Sequence, residues 1–151
     1  MLEGQPIVAE FAGSSFRGEF LQCCAEIEDR LCLALERLVE LGEIKRPPYL
    51  FGQKFERVKK SVALSGLWKH KDHVGTVFEE LQPFVELRGT LGHALMGTAV
   101  LEGKSGVSWR VPGDHDWKSR RAMTHAEMQQ TLTELRRLTN KFLKQPLADK
   151  P

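Results

Sequence analysis

A mostly helical domain, a four-helix bundle with a small β-hairpin between its third and fourth helices, is the fold class that the sequence predicts. Three observations carry it. Apolar residues recur at steps of three and four over long stretches, the signature of helices that bury one face. Glycine and proline punctuate those stretches where helices have to stop. One short segment, from Thr98 to Val111, switches to an alternation of period two, which suits strands.

Residues 1–14 are expected to be a poorly ordered lead-in, with Ser14 or Ser15 capping the first helix. Phe16, Phe20, Cys24, Ile27, Leu31, Leu35 and Leu38 form its apolar stripe, and Gly42 supplies a C-terminal stop. A helix from about 15 to 41 runs on the order of 40 Å, which suits a bundle. Pro47 and Pro48 make the following segment a linker. The second helix is expected over about 52 to 66, with Phe55, Val58 and Val62 inward and Ser65-Gly66 as its break. The third starts at Asp72 or at a Thr76/Glu79 capping box. Its stripe is Val74, Val77, Phe78, Leu81, Val85, Arg88, Gly92 and Leu95, and Pro83 is expected to kink it.

Beyond it, Ala99-Val100-Leu101 and the alternating Val107, Trp109 and Val111 read as two strands around the turn Glu102–Gly106. Thr124-His125-Ala126-Glu127 is a capping box for the last helix. That helix carries Met128, Leu132, Leu135, Leu138 and Phe142 and ends before Pro146. The expected organisation is one domain over 15–145 and a tail over 146–151.

Composition bounds the function. A chain of 151 residues with 41% hydrophobic and 28% charged residues is that of an ordinary globular domain. The net charge of +2 implies no nucleic-acid or membrane partner by itself. Its distribution says more. Residues 1–44 hold nine acids and three bases, whereas residues 45–71 hold eight bases and one acid. The basic segment is either a solvated helix face or a phosphate-facing surface. Cys23, Cys24 and Cys32 fall in one helix and make no disulfide framework. Cys24 and Cys32 read as buried thiols of a reducing compartment, here the cytoplasm. No leader peptide or membrane-spanning stretch is recognisable.

Arg88 is the least expected residue, because it falls in the middle of an apolar stripe. A guanidinium cannot shed its charge, so a buried one needs a partner. Glu28, at the edge of the first helix's stripe, is the candidate partner. His93 follows five residues later, about 140° away around a straight helix, although Gly89 and Gly92 weaken the helix there.

The segment Glu86-Leu87-Arg88-Gly89-Thr90-Leu91-Gly92-His93 resembles the Arg-x4-6-His motif of the HEPN superfamily, at the end of the third long helix of a helical bundle. Gly89 stands where that family often has a polar residue, and Ala94 follows the histidine. The resemblance implies a HEPN-like fold, no cofactor and metal-independent RNA cleavage across a homodimer, in a toxin–antitoxin or defence setting. Arg88 and His93 would be the catalytic pair: histidine can move protons near neutral pH, and arginine can hold phosphoryl oxygens. Glu28 is the orienting partner inferred for Arg88.

Trp109, Arg110, Trp117, Lys118, Arg120 and Arg121 mix aromatics with cations, a pattern that can stack bases and hold phosphates. Trp109 equally well covers the core. His70, Asp72 and His73, and His115 between Asp114 and Asp116, are poorly specified as metal ligands and read as solvated loop residues. Two other readings stay open. One is a non-catalytic RNA- or protein-binding module of the same fold. The other is an unrelated helical interaction domain in which Glu28 and Arg88 are structural.

Overall fold

The computed structural model describes residues 5–64, 66–113 and 121–150, with side chains from residue 13 onward. Among the described residues, the order is α1 (Gln5–Glu40), α2 (Phe51–Lys60), α3 (Lys71–Leu91), β1 (Leu95–Leu101), β2 (Lys104–Arg110), β3 (Arg121–Thr124) and α4 (His125–Leu143). The fold is mostly helical with a small antiparallel sheet of order β1-β2-β3. The chain forms two compact units, one of residues 1–22 and 86–135, the other of residues 23–85 and 136–151.

The helix ends show how local chemistry acts. α1 begins at Gln5, not at Ser14 or Ser15, so most of the expected lead-in is helical. Pro6 occupies the first turn, where a missing N–H costs nothing, and residues 7–12 contain no helix breaker. The other end is as expected. Gly42 takes φ +77°, while the N–H of Glu43 donates to Leu38 O and that of Gly42 to Val39 O, a Schellman stop.

α2 ends at Lys60, short of the expected 66. The Ser61 hydroxyl donates to Arg57 O and the next N–H groups bond three residues back, which tightens the chain out of the helix. α3 starts at Lys71, with Val74 N–H donating to His70 O. Thr76 is therefore an interior residue whose hydroxyl donates to Asp72 O, not a cap. Pro83 lies within α3 on an exposed position.

In the unit of residues 23–85 and 136–151, segments of all four helices surround an aromatic core. Phe78 stands 5.0 Å from Phe55, 5.4 Å from Phe142 and 6.4 Å from Trp68, centroid to centroid. Polar pairs run around this core. Lys54 of α2 reaches Glu28 of α1, Lys59 of α2 reaches Gln82 of α3, Arg137 of α4 reaches Glu80 of α3, and Arg136 of α4 reaches Glu26 of α1. The expected tail is docked here: Lys69 N–H donates to Pro146 O, Ala148 N–H to Leu67 O, and Arg37 to Ala148 O. Cys23 and Cys24 are buried, whereas Cys32, expected to be buried, is half-buried beside Lys54.

In the unit of residues 1–22 and 86–135, the sheet packs on α1. A Cβ on Gly13 would stand 2.9 Å from Val107 Cγ1 and 3.7 Å from Met96 Cε, so glycine lets the helix lie close to the strands. The sheet is larger than the expected hairpin. β1 and β2 turn through Glu102 and Gly103 alone, both with positive φ. β3 adds a third strand through the pairs Gly106↔Thr124 to Trp109↔Arg121. Four residues with one β-branched member at the end carry too weak an alternation to be legible. Thr124 closes β3 and caps α4 as expected: Glu127 N–H donates to Thr124 Oγ1 at 3.2 Å, and Thr124 N–H to Glu127 Oε1 at 3.4 Å.

Gly106 is where this sheet is most constrained, since a Cβ there would meet Met123 O at 2.1 Å. Gly106→Ala should cost about 3 kcal/mol, as overpacking against backbone does. Gly103→Ala, with open space but φ +78°, should cost about 1 kcal/mol. Urea midpoints compare the two, and equal losses would contradict the packing of β3 on β2.

Candidate functional site

The topology brings several chemistry-bearing residues to one end of the sheet. α3 runs out at Leu91, β1 begins at Leu95, β2 ends at Arg110 and β3 begins at Arg121. Leu95 pairs with Arg110 and Trp109 with Arg121. Arg88 and His93 stand just upstream of β1, so these two, Arg110 and Arg121 belong to the same end.

Arg88 lies in the last turn of α3 and is half-buried. A Cβ on Gly92 would lie 3.5 Å from Arg88 Nη1 and 3.4 Å from Arg88 O. The guanidinium therefore extends along the C-terminal end of its own helix, where a cation is favoured. His93 is exposed and lies beyond the helix, with its N–H donating to Thr90 O at 3.3 Å. The 140° offset of a straight helix does not apply, because the helix has already ended at Leu91. Leu95, expected on the apolar stripe of the third helix, is instead the first residue of β1 and is 51% exposed.

The junction is pinned from a place that the sequence did not flag. Arg17 Nη1 of α1 donates to Ala94 O at 2.7 Å, a charge-assisted bond to the residue after His93. Arg17 sits between Phe16 and Phe20, both buried. That edge position is the sole sequence signal it carries.

Glu28, inferred from the sequence as the orienting partner of Arg88, has a carboxylate that accepts from Lys54 Nζ at 3.0 Å. The reason is the placement of α2: Phe55 and Val58 turn into the core, and the preceding lysine then faces α1. Periodicity identifies Glu28 as a half-buried acid, but not which of many cations it meets. The hydrogen bond to Glu28, with its Coulombic attraction and that of Cys32, raises the Lys54 pKa above its ordinary value against an opposing desolvation.

The sheet also sorts the aromatic and basic residues. Trp109 is 2% exposed and belongs to the core, so it offers no stacking platform. Adjacent strand residues point to opposite faces. Arg121, paired with Trp109, therefore projects to one face and Arg110 to the other. Arg121 is exposed and Arg110 half-buried. Trp117, Lys118 and Arg120, and with them His115, lie outside the described residues. His70 and His73 are exposed, with ring centroids 6.1 Å apart. Among the described residues no group of three or more His, Cys, Asp or Glu converges to hold a metal ion, and no helix is long and apolar enough to cross a membrane.

The Lys54–Glu28 pair can be read by pH. A lysine pKa raised by folding contributes stability that is complete below its ordinary value of 10.5 and is lost as the pH rises through the raised value. Glu28→Gln should cost at most about 1 kcal/mol at neutral pH, as for other partly exposed pairs. The gap to the wild type should close above pH 10.5. Denaturant titrations at neutral and strongly alkaline pH test this, and a gap unchanged by pH would assign Glu28 a different role.

No family model, curated protein or solved structure matches the chain.

Proposed function

We propose that the chain is a HEPN-like helical protein that binds RNA and cleaves it without a metal ion at the α3–β1 junction. The observation that carries this reading is the position of the Arg88 guanidinium over Gly92, one residue before the exposed His93. The resemblance of the Arg88-to-His93 segment to the HEPN motif supports it. So does the gathering of Arg110 and Arg121 at the same end of the sheet.

The chemistry needs little else. The 2′-hydroxyl of the target nucleotide attacks the adjacent phosphorus, and the P–O5′ bond breaks as the P–O2′ bond forms. The imidazole of His93 takes the hydroxyl proton, and water protonates the leaving 5′-oxygen. Arg88 holds the phosphoryl oxygens through paired N–H donors and stabilises the charge that develops on them. Arg110 and Arg121, on opposite faces, hold flanking phosphates of a strand that passes over the end of the sheet. Arg88, His93, Arg110 and Arg121 all belong to one copy, so this step does not need the cross-dimer arrangement that the resemblance implies.

A mixed single-stranded RNA incubated in chelator should be cleaved by the wild type. His93→Ala should reduce the rate at least about a hundredfold while leaving the melting temperature unchanged. Arg110→Gln and Arg121→Gln should each weaken RNA binding and flatten its salt slope by about 0.7. Binding without cleavage by a folded wild type would make the chain a non-catalytic RNA-binding module. Neither binding nor cleavage would leave Arg88 as a structural cap of α3.

A further inference from the structure

We infer that β1 pairs with β1 of a second copy of this chain, antiparallel, about a twofold axis through Thr98. Among the described residues, the sheet order β1-β2-β3 leaves β1 and β3 as edges. Edge strands in proteins are normally blunted by charge, proline, a bulge or brevity. β3 has four residues and begins with Arg121. β1 has seven, Leu-Met-Gly-Thr-Ala-Val-Leu, with neither a charge nor a proline. Its register with β2 runs unbroken from Leu95↔Arg110 to Leu101↔Lys104.

The turn decides which backbone groups face outward. Leu101 and Lys104 flank a two-residue turn whose residues, Glu102 and Gly103, have φ of +51° and +78°. In such a hairpin the flanking pair exchanges both hydrogen bonds, and such pairs recur at every second residue. Leu101, Ala99, Gly97 and Leu95 therefore bond to β2, and the N–H and C=O of Met96, Thr98 and Val100 point away from it.

Those three residues are symmetric about Thr98, and this symmetry selects the occupant. In an antiparallel self-pairing Thr98 meets the partner's Thr98, and Met96 meets the partner's Val100. Every outward N–H and C=O of both strands then finds its complement. No like charges meet, because the strand has none. The pairing also covers the exposed apolar residues of β1. Val100, 76% exposed, falls opposite the partner's Met96, and Leu95, 51% exposed, falls opposite the partner's Leu101. An isologous contact of this kind closes on itself as a dimer.

The pairing does not depend on the RNA reading. It keeps the two α3–β1 junctions about 20 Å apart, six strand residues at about 3.3 Å each, so each junction would act alone. The β1–β2 turn of one copy lies beside the α3–β1 junction of the other.

Sedimentation equilibrium on the full chain tests this with two variants. Thr98→Pro removes an outward N–H without touching the ladder to β2, a position where proline is tolerated. Val100→Lys puts a charge on an exposed site. The wild type should sediment at twice the chain mass. Both variants should dissociate at concentrations at least about tenfold higher than the wild type, with unchanged far-UV circular dichroism and melting temperature. RNA cleavage by Val100→Lys should stay at the wild-type level, which keeps this test separate from that of the junction. A monomeric wild type, or a folded Val100→Lys that remains dimeric, overturns the proposal. Should Thr98→Pro fail to fold, Val100→Lys decides alone.

Discussion

The Arg17–Ala94 hydrogen bond holds the place where a long helix becomes a strand, and the candidate site is arranged around that place. α3 ends at Leu91 and β1 begins at Leu95, so the chain has three residues in which to exhaust a helical ladder and start a sheet. It does so with shortening bonds: Gly92 N–H donates four residues back to Arg88 O, whereas His93 and Ala94 donate three back. The last helical carbonyls are thereby satisfied. Ala94 O then faces Arg17, whose charged donor gives a bond of about 1.5–3 kcal/mol. With this carbonyl fixed, the position of His93 and the start of β1 follow.

The two compact units solve different problems. In the unit of residues 23–85 and 136–151, stability comes from aromatic burial: Phe55, Trp68, Phe78 and Phe142 are each at most 1% exposed. The ion pairs around them are partly exposed, so each contributes little to stability; their effect is to favour one helix register over another. In the unit of residues 1–22 and 86–135, the close approach at Gly13 and at Gly106 does that work sterically. Two positions without a Cβ allow α1 to meet β2, and β3 to meet β2.

This division gives the sheet two surfaces of opposite character. Its end beside α3 gathers Arg88, His93, Arg110 and Arg121, donors suited to a polyanion. Its β1 edge has no charge and presents backbone groups and the apolar Val100 and Leu95. On the proposed readings, a phosphate backbone would be drawn to the first and the strand of a second copy to the second. The same strand thus begins at a candidate RNA site and runs along a candidate self-pairing edge.

Much of the architecture is legible in the residues, and the reason is locality. The apolar steps of α1, of α3 as far as Val85 and of α4, the Gly42 stop, the Thr124–Glu127 box and the strand through Val107 and Trp109 each depend on neighbours within a few residues, and each appears where the sequence puts it. What the residues could not decide depends on contacts remote in the chain. β3 is too short to announce itself and exists because Gly106 leaves room for it. The early start of α1 goes with a Gly13 that lies against Val107. Glu28 is recognisable as a half-buried acid, but that it meets Lys54 is set by the packing of α2. Arg88 stands out by its place in an apolar stripe, and His93 by its spacing from Arg88. That the helix stops between them, and that Arg17 holds the stop, was decided by tertiary structure, because hydrogen bonds across 77 residues of chain leave no periodic trace.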